Sequence, residues 1–361
     1  MSLNRSISSA FLLSLFSGAQ RQHIKLSKIL HDLELTELQA VLESKKGCED
    51  SCAVSSTESS IEIRPDSRVD LEALGPLLRY LWREMGDEAS GFLQRPLKIG
   101  MFSMMCHAII TAGNLRRALI RSTRFLALLN EDLSVELDES GDEARLTILY
   151  SNPHKLDSVF FITSIFVIWI RLSCWLVQRS ILLDRIEFEF PEPAYSDEFY
   201  LMFPCRHKFG QNGNRVIFSK KFLSLPIMQD SESLTSFLHH APESLLTQYR
   251  ADDSISAEIK RLLLHRNGPK VELENLSFED VALELNMTTH TIRRRLKEEG
   301  NSFQEIKDSI RREQALTLLE NSVLSLQEIS EHLGFSETAA FNRAFKKWTG
   351  MTPGAYRSLS H

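Results

Sequence analysis

Apolar residues spaced three and four apart run from Pro65 to about Val135, the period of a helix with one buried face. The first 46 residues also read as helical, and Gly47–Glu62 (GCEDSCAVSSTESSIE) interrupts them with serine and small polar residues, which predicts a flexible connection. The period then shortens to two. Ser134–Leu137 and Arg145–Tyr150 flank DESGDE, a hairpin signal; Arg185–Phe190 (RIEFEF) alternates strictly; Arg215–Phe218 (RVIF) follows Asn212-Gly213-Asn214. Residues 65–228 are therefore expected to form a mixed α+β unit with an antiparallel sheet. From Ile255 onward no strand pattern remains, and the C-terminal part is expected to be all-α. The pattern divides the chain into an N-terminal helical segment with its connection (1–62), an α+β domain (63–254) and a helical domain (255–361).

Two apolar stretches bear on location. Met1–Ala19 has a short apolar run after Arg5, a weak imitation of a signal peptide that reads better as an amphipathic first helix. Val159–Val177 (VFFITSIFVIWIRLSCWLV) has the length of a bilayer span, but Arg171 inside it would cost about 2.5–3.5 kcal/mol at a membrane centre. A buried helix with Arg171 paired or at its surface is expected, and no membrane partner. A membrane-associated sensor built on 159–177 is the rival reading.

The helical domain contains an internal repeat. Glu279–Gly300 (EDVALELNMTTHTIRRRLKEEG) and Leu326–Gly350 (LQEISEHLGFSETAAFNRAFKKWTG) align so that Val281, Ala282 and Leu285 correspond to Ile329, Ser330 and Leu333. Ile292 and Leu296 correspond to Phe341 and Phe345. Each copy reads as helix, tight turn, helix. Gly334 and Asn286 stand where a left-handed residue is needed, and Thr288 and Ser336 are expected to cap the following helices. Ser277 with Asp280, Ser302 with Glu305 and Ser325 with Glu328 are capping boxes, and Thr352-Pro353 opens a last short helix.

This spacing lets a second helix enter the major groove of DNA while the first crosses the backbone. In the first copy Thr289, His290, Thr291, Arg293, Arg294, Arg295 and Lys297 are the DNA-binding candidates; in the second, Glu337, Thr338, Asn342, Arg343, Lys346 and Lys347. Arginine can pair with guanine or a phosphate through two hydrogen bonds. Phe341, Phe345 and Trp348 are expected to pack inward. Ser302–Glu320 carries Phe303, Ile306, Ile310, Leu316 and Leu319 on one stripe, a rod of roughly 28 Å that compares with about 34 Å for a turn of DNA.

Charge agrees with this division. The chain has a net charge of −6; residues 255–361 hold 15 Lys+Arg against 15 Asp+Glu, and residues 1–254 hold 27 against 33. Positive charge is concentrated in the two second helices, and the acidic part is not expected to touch DNA. Five cysteines at irregular spacing read as reduced thiols of a cytoplasmic protein, with a regulatory role open for Cys48 and Cys52. No P-loop, dinucleotide fingerprint, nucleophile elbow or metal-spaced cluster is present, so no enzyme, metal or cofactor is expected. His107, His154 and His207 read as structural or exposed side chains rather than haem or metal ligands.

The second copy resembles the signature of the AraC/XylS family of bacterial transcription regulators in Gly334-Phe335, Phe341, Arg343, Phe345-Lys346-Lys347, Gly350, Thr352-Pro353 and Tyr356-Arg357. Ala339 departs from it where members often carry serine, which implies loss of a phosphate contact there. Gly113–Leu119 and Phe203–Pro226 resemble that family's N-terminal domain, often labelled arabinose-binding. The resemblance implies a cytoplasmic, sequence-specific, double-stranded-DNA-binding regulator, an activator that works with RNA polymerase, with effector-binding and dimerisation in 63–254 and a homodimer as its working form. A ligand-independent dimeric regulator is the other reading of the upstream domain. If a pocket exists there, Trp169, Trp175, Arg206, His207 and Phe209 are its lining candidates.

Overall fold

The computed structural model describes residues 6–22, 24, 68–70, 74–151, 159–239, 245, 254–265, 277–321 and 324–360. Expectations for Cys48, Cys52, His154 and all of 25–67 lie outside the described residues.

The N-terminal part is α+β. A short strand β1 (Ser6–Ser8) pairs antiparallel with β2 (Arg68–Asp70). Helix α1 (Ser9–Arg21) follows β1, and its Leu15 and Phe16 join the main core, at 0% and 1% exposure. Gly18 makes that packing possible, because a Cβ there would meet the Ser90 carbonyl oxygen at 2.0 Å. Helices α2 (Leu74–Met85), α3 (Met101–Ile109) and α4 (Leu115–Leu129) take up the three-four stripe seen in the sequence. Asn114 caps α4 by accepting from the Arg117 N–H at 3.0 Å.

A five-stranded sheet is laid on these helices in the order β3 (Leu133–Ser140), β4 (Glu143–Tyr150), β7 (Asn214–Ser219), β5 (Leu183–Glu187), β6 (Arg206–Lys208). The β3–β4 hairpin runs in register from Leu133↔Tyr150 to Ser140↔Glu143, so the strands reach into DESGDE and the turn contracts to Gly141-Asp142, with Gly141 at φ +56°. The sheet is mixed: β5 pairs parallel with β6, and the other pairs are antiparallel. Sequence alternation did not reveal β6, because three residues cannot show a period.

Alternation separates the two faces. Ala144, Leu146, Ile148, Ile186, Val216 and Phe218 turn into the core. Glu143, Arg185 and Glu187 fall on the opposite face. Helix α5 (Val159–Val177), the apolar stretch, is the central core helix, and the Arg171 guanidinium donates to the Leu245 carbonyl. Its burial matches the expectation of a core helix. Short helix α6 (Asp197–Met202) and helix α7 (Ser231–Leu238) complete the unit.

The C-terminal part is helical, as expected: α8 (Ile255–His265), α9 (Phe278–Glu284), α10 (Thr289–Glu298), α11 (Phe303–Asn321), α12 (Leu326–His332), α13 (Thr338–Thr349) and α14 (Pro353–Ser360). Its apolar residues fall into two groups. Ile306 and Ile310 of α11 join Val281, Ile292 and Leu296 in a core continuous with that of the N-terminal domain. Leu316 and Leu319 of α11 join Ile329, Leu333, Phe341 and Phe345 in a second, separate core. One helical stripe thus belongs to two cores, and α11 joins the repeats as a single 19-residue rod.

Candidate nucleic-acid interface

Local chemistry positions each repeat. Ser277 and Asp280 close a capping box on α9, as Ser325 and Glu328 do on α12. The tight turns carry the left-handed residues they need: Asn286 at φ +53° and Gly334 at φ +73°. Thr288 Oγ1 caps α10 by accepting from the Thr291 N–H at 3.2 Å. The second copy differs from expectation. Its cap position is Glu337, not Ser336, and Glu337 makes no side-chain cap hydrogen bond. The extra residue in the Gly334–Glu337 turn moves the helix start one position on.

In the first copy, α10 buries Ile292 and Leu296 and exposes His290, Arg293, Arg294, Arg295 and Lys297; Thr289 and Thr291 are half-buried. Arg293 lies over the Phe278 ring, 5.0 Å from its centroid, so part of its charge is spent on packing. Arg294 lies 3.9 Å from Glu298 one turn on, an exposed pair of little energetic weight. In the second copy, α13 buries Phe341 and Phe345 and exposes Glu337, Arg343, Lys346 and Lys347. Thr338 is half-buried. Asn342 is half-buried too, and its Oδ1 is covered and has no hydrogen-bond partner. Trp348 packs on Phe335 with ring centroids 6.1 Å apart.

The N-terminal domain meets both second helices at their C-terminal ends. A Cβ on Gly300, just beyond α10, would lie 2.5 Å from Arg179 Nη1. A Cβ on Gly141, at the β3–β4 turn, would lie 3.9 Å from the Thr349 carbonyl of α13. The N-terminal halves, which read base edges in helix-turn-helix proteins, carry Thr289, His290, Glu337 and Thr338.

The rod α11 is held on the polar face of the sheet by an array that the sequence did not announce. Arg185 of β5 lies 3.0 Å from Glu143 and 3.1 Å from Glu313. Arg312 reaches Glu143 at 2.7 Å and Asp184 at 3.3 Å. A register shift in β5 between Leu183 and Arg185 brings Asp184 to the same side as Arg185, where it also accepts from Ser309 at 3.1 Å. Arg206 bonds the Glu313 carbonyl at 3.2 Å and the Thr317 hydroxyl at 2.5 Å, and Lys221 meets Glu305 at 2.7 Å. Lys260 of α8, fully buried, donates to the Leu183 carbonyl and to Ser309.

The electrostatics follow from burial and pairing. Burial pushes Glu143 up, but Arg185 and Arg312 outweigh it and hold its carboxyl below the usual range. Burial also raises Glu313, more than its arginine partners lower it. Lys260 is held below the ordinary lysine value by burial. Burial pushes the Cys106 and Cys205 thiols up to about 12, so both are inert at neutral pH.

The upstream candidates are not gathered in one place. Trp169 lines a cavity between α2, α3, α4 and α5, and Trp175 lines another. Arg206 belongs to the α11 interface. His207 and Phe209 sit in an aromatic cluster with Phe188 and Phe199. His207 Nε2 donates to the Phe203 carbonyl at 3.0 Å, and burial brings the ring down to about 4. Among the described residues no cluster of three or more His, Cys, Asp or Glu could hold a metal ion.

Two family models match the chain: the arabinose-binding domain of AraC transcription regulators over residues 58–227, and a helix-turn-helix domain over 281–358. The chain belongs to the AraC family. It is a DNA-binding AraC-family transcription regulator with an N-terminal ligand-binding domain. An ornithine utilization regulator of Pseudomonas aeruginosa is 27% identical over 273 residues, covering 75% of this chain and 79% of that protein. The regulator VqsM of the same organism is 32% identical over 173 residues, 45% of this chain and 49% of that one. The crystal structure of the transcriptional regulator CdpR from Pseudomonas aeruginosa aligns over 96% of this chain and 97% of its own at 19% identity, with a TM-score of 0.27.

Proposed function

We propose that this AraC-family regulator reads two successive major grooves of one operator, with α10 in the first and α13 in the second. The observation that carries the reading is the pair of helix-turn-helix copies fixed to the two ends of one 19-residue helix, each exposing arginine and lysine on its second helix. Arg294, Arg295, Lys297, Arg343, Lys346 and Lys347 supply the positive charge, and His290, Thr289, Thr291, Glu337, Thr338 and Asn342 flank the groove-facing surface. Residues 255–361 form the reading unit, and residues 63–254 bind a small-molecule effector and form the homodimer. The protein acts in the cytoplasm as an activator that presents itself to RNA polymerase, and it carries out no catalysis.

The array around Arg185 supports a coupling between the two parts. A ligand that shifts the sheet or α5 moves the strand on which α11 rests, and α11 sets the spacing of the two reading helices. Mobility shift of the full chain on a panel of upstream DNA fragments tests the reading. A salt-dependent preference for particular fragments is the expected result. Equal binding to all fragments would remove the claim of selective reading.

A further inference from the structure

A cavity of about 120 Å³ lies between α2, α3, α4 and α5. Its wall is almost wholly apolar, with Trp82, Phe102, Met105, Phe161, Ile165 and Trp169 among its residues. Among the described residues no lysine, arginine or histidine lines it. An anion entering it would lose its water and find no counter-charge.

Among the described residues Glu88, Ser90 and Ser164 bring carboxylate or hydroxyl groups to the wall, and the first two are already engaged. Both oxygens of Glu88 accept backbone N–H groups, from Gly100 at 2.7 Å and Phe102 at 2.9 Å. Ser90 accepts from the Trp82 indole N–H at 3.0 Å. The third is Ser164 on α5. It is 8% exposed, and no described residue makes a hydrogen bond with its hydroxyl. Its neighbour Thr163 and the later Ser173 both donate back to the carbonyl four residues earlier, at 2.6 and 2.7 Å. Ser164 alone of these three makes no such back-bond and lines the cavity, so its hydroxyl is available to a polar group that enters.

Size narrows the occupant. An apolar cavity of about 150 Å³ accommodates benzene, so this one takes a molecule of about one ring. We propose that the cavity binds a neutral, monocyclic, mainly apolar small molecule carrying one hydrogen-bonding group that meets the Ser164 hydroxyl. This rests on the reading of the N-terminal domain as an effector domain and gives that effector a chemical class. The aromatic walls supply stacking faces, and α5 is the element through which occupancy reaches the sheet.

Calorimetric titration of the full chain tests it with four probes: benzyl alcohol, toluene, benzoate and benzylamine. Benzyl alcohol is expected to bind and raise the melting temperature, and toluene to bind more weakly. Ser164→Ala should weaken benzyl alcohol about two- to tenfold, the value of one hydrogen bond, and leave toluene unchanged. Ser164→Leu, which fills the space, should abolish both; Met105→Phe fills it from the opposite wall if that variant folds poorly. Benzoate or benzylamine binding more tightly than benzyl alcohol would overturn the neutral class, as would benzyl alcohol binding undiminished in both filled variants. The same titration repeated as a mobility shift separates the two readings. Benzyl alcohol bound in a Ser164-dependent way with no change in DNA affinity would uphold the ligand class and overturn the effector role.

Discussion

Arg185 of the N-terminal sheet stands between two carboxylates, 3.0 Å from Glu143 on its own sheet and 3.1 Å from Glu313 on the helix that joins the DNA-reading repeats. All three side chains are nearly covered, at 13%, 10% and 5% exposure. Removing the shared cation leaves Glu143 with Arg312 and Arg145 but takes from buried Glu313 its arginine ion pair. Arg185→Met should therefore destabilise the full chain by about 3–5 kcal/mol in urea unfolding. Lys221→Met, which removes only the half-exposed partner of Glu305, should cost less than about 1 kcal/mol. Equal losses in the two variants would mean the Arg185 array holds nothing together.

Isolating the reading unit should have a related cost. In a fragment of residues 255–361, Ile255 and Ile259 lose their neighbours, and Lys260, Arg312 and Glu313 lose partners at Leu183, Asp184, Glu143 and Arg185. The fragment should unfold first in its α8–α10 half, while the separate core around Phe341 and Phe345 persists. Hydrogen exchange distinguishes the halves, and uniform protection across both would count against two cores.

His207 predicts a pH response. Its folded value, about 4, lies below the ordinary 6.5, so between these values the unfolded chain takes up a proton that the folded chain refuses. Stability from this group is complete above pH 6.5 and falls as pH drops toward 4, by on the order of 3 kcal/mol in total. His207→Phe should flatten that part of the wild-type stability curve relative to the parent. Parallel curves for the two proteins would show that the ring is not excluded from protonation.

A single-residue insertion near Asp308 rotates everything beyond it by about 100° and advances it about 1.5 Å. Arg312 and Glu313 then leave the sheet, and the two reading helices lose their common face. Both stability and operator affinity should fall. An insertion that leaves footprint and affinity intact would mean that only one repeat reads DNA.

The repeats were legible from sequence because their signals are local. A capping box spans four residues, and Asn286 and Gly334 announce their turns by their own backbone preference. Ser336 misled because it has the right chemistry one position early. The strand at RVIF was legible for the same reason, and RIEFEF in part, since β5 runs Leu183–Glu187 and ends before Phe188: alternation records which face is apolar. It does not record what lies on the other face. Glu187 and Arg185 fall at the polar positions of that strand, and α11 meets their face through Arg185 and Glu313, 128 positions apart. Glu313 lies on the rod α11 and Lys260 on α8. Both are buried only because distant side chains or carbonyls meet them, which no local pattern encodes. The cavity beside Ser164 was equally hidden, since four helices must be placed before a void between them exists.

The central claim is that α10 and α13 each read a groove of the same site. The most direct test substitutes every base pair of one bound operator in turn and repeats the series with Arg294→Ala and Arg343→Ala. Each variant should lose about 1–3 kcal/mol on the native site if its arginine meets a base, with preference relaxed at one position, the two positions lying about one helical turn apart. A phosphate contact should instead weaken all sequences and lower the salt slope by about one. Arg294→Ala or Arg343→Ala leaving affinity, base preference and salt slope all unchanged would contradict the account.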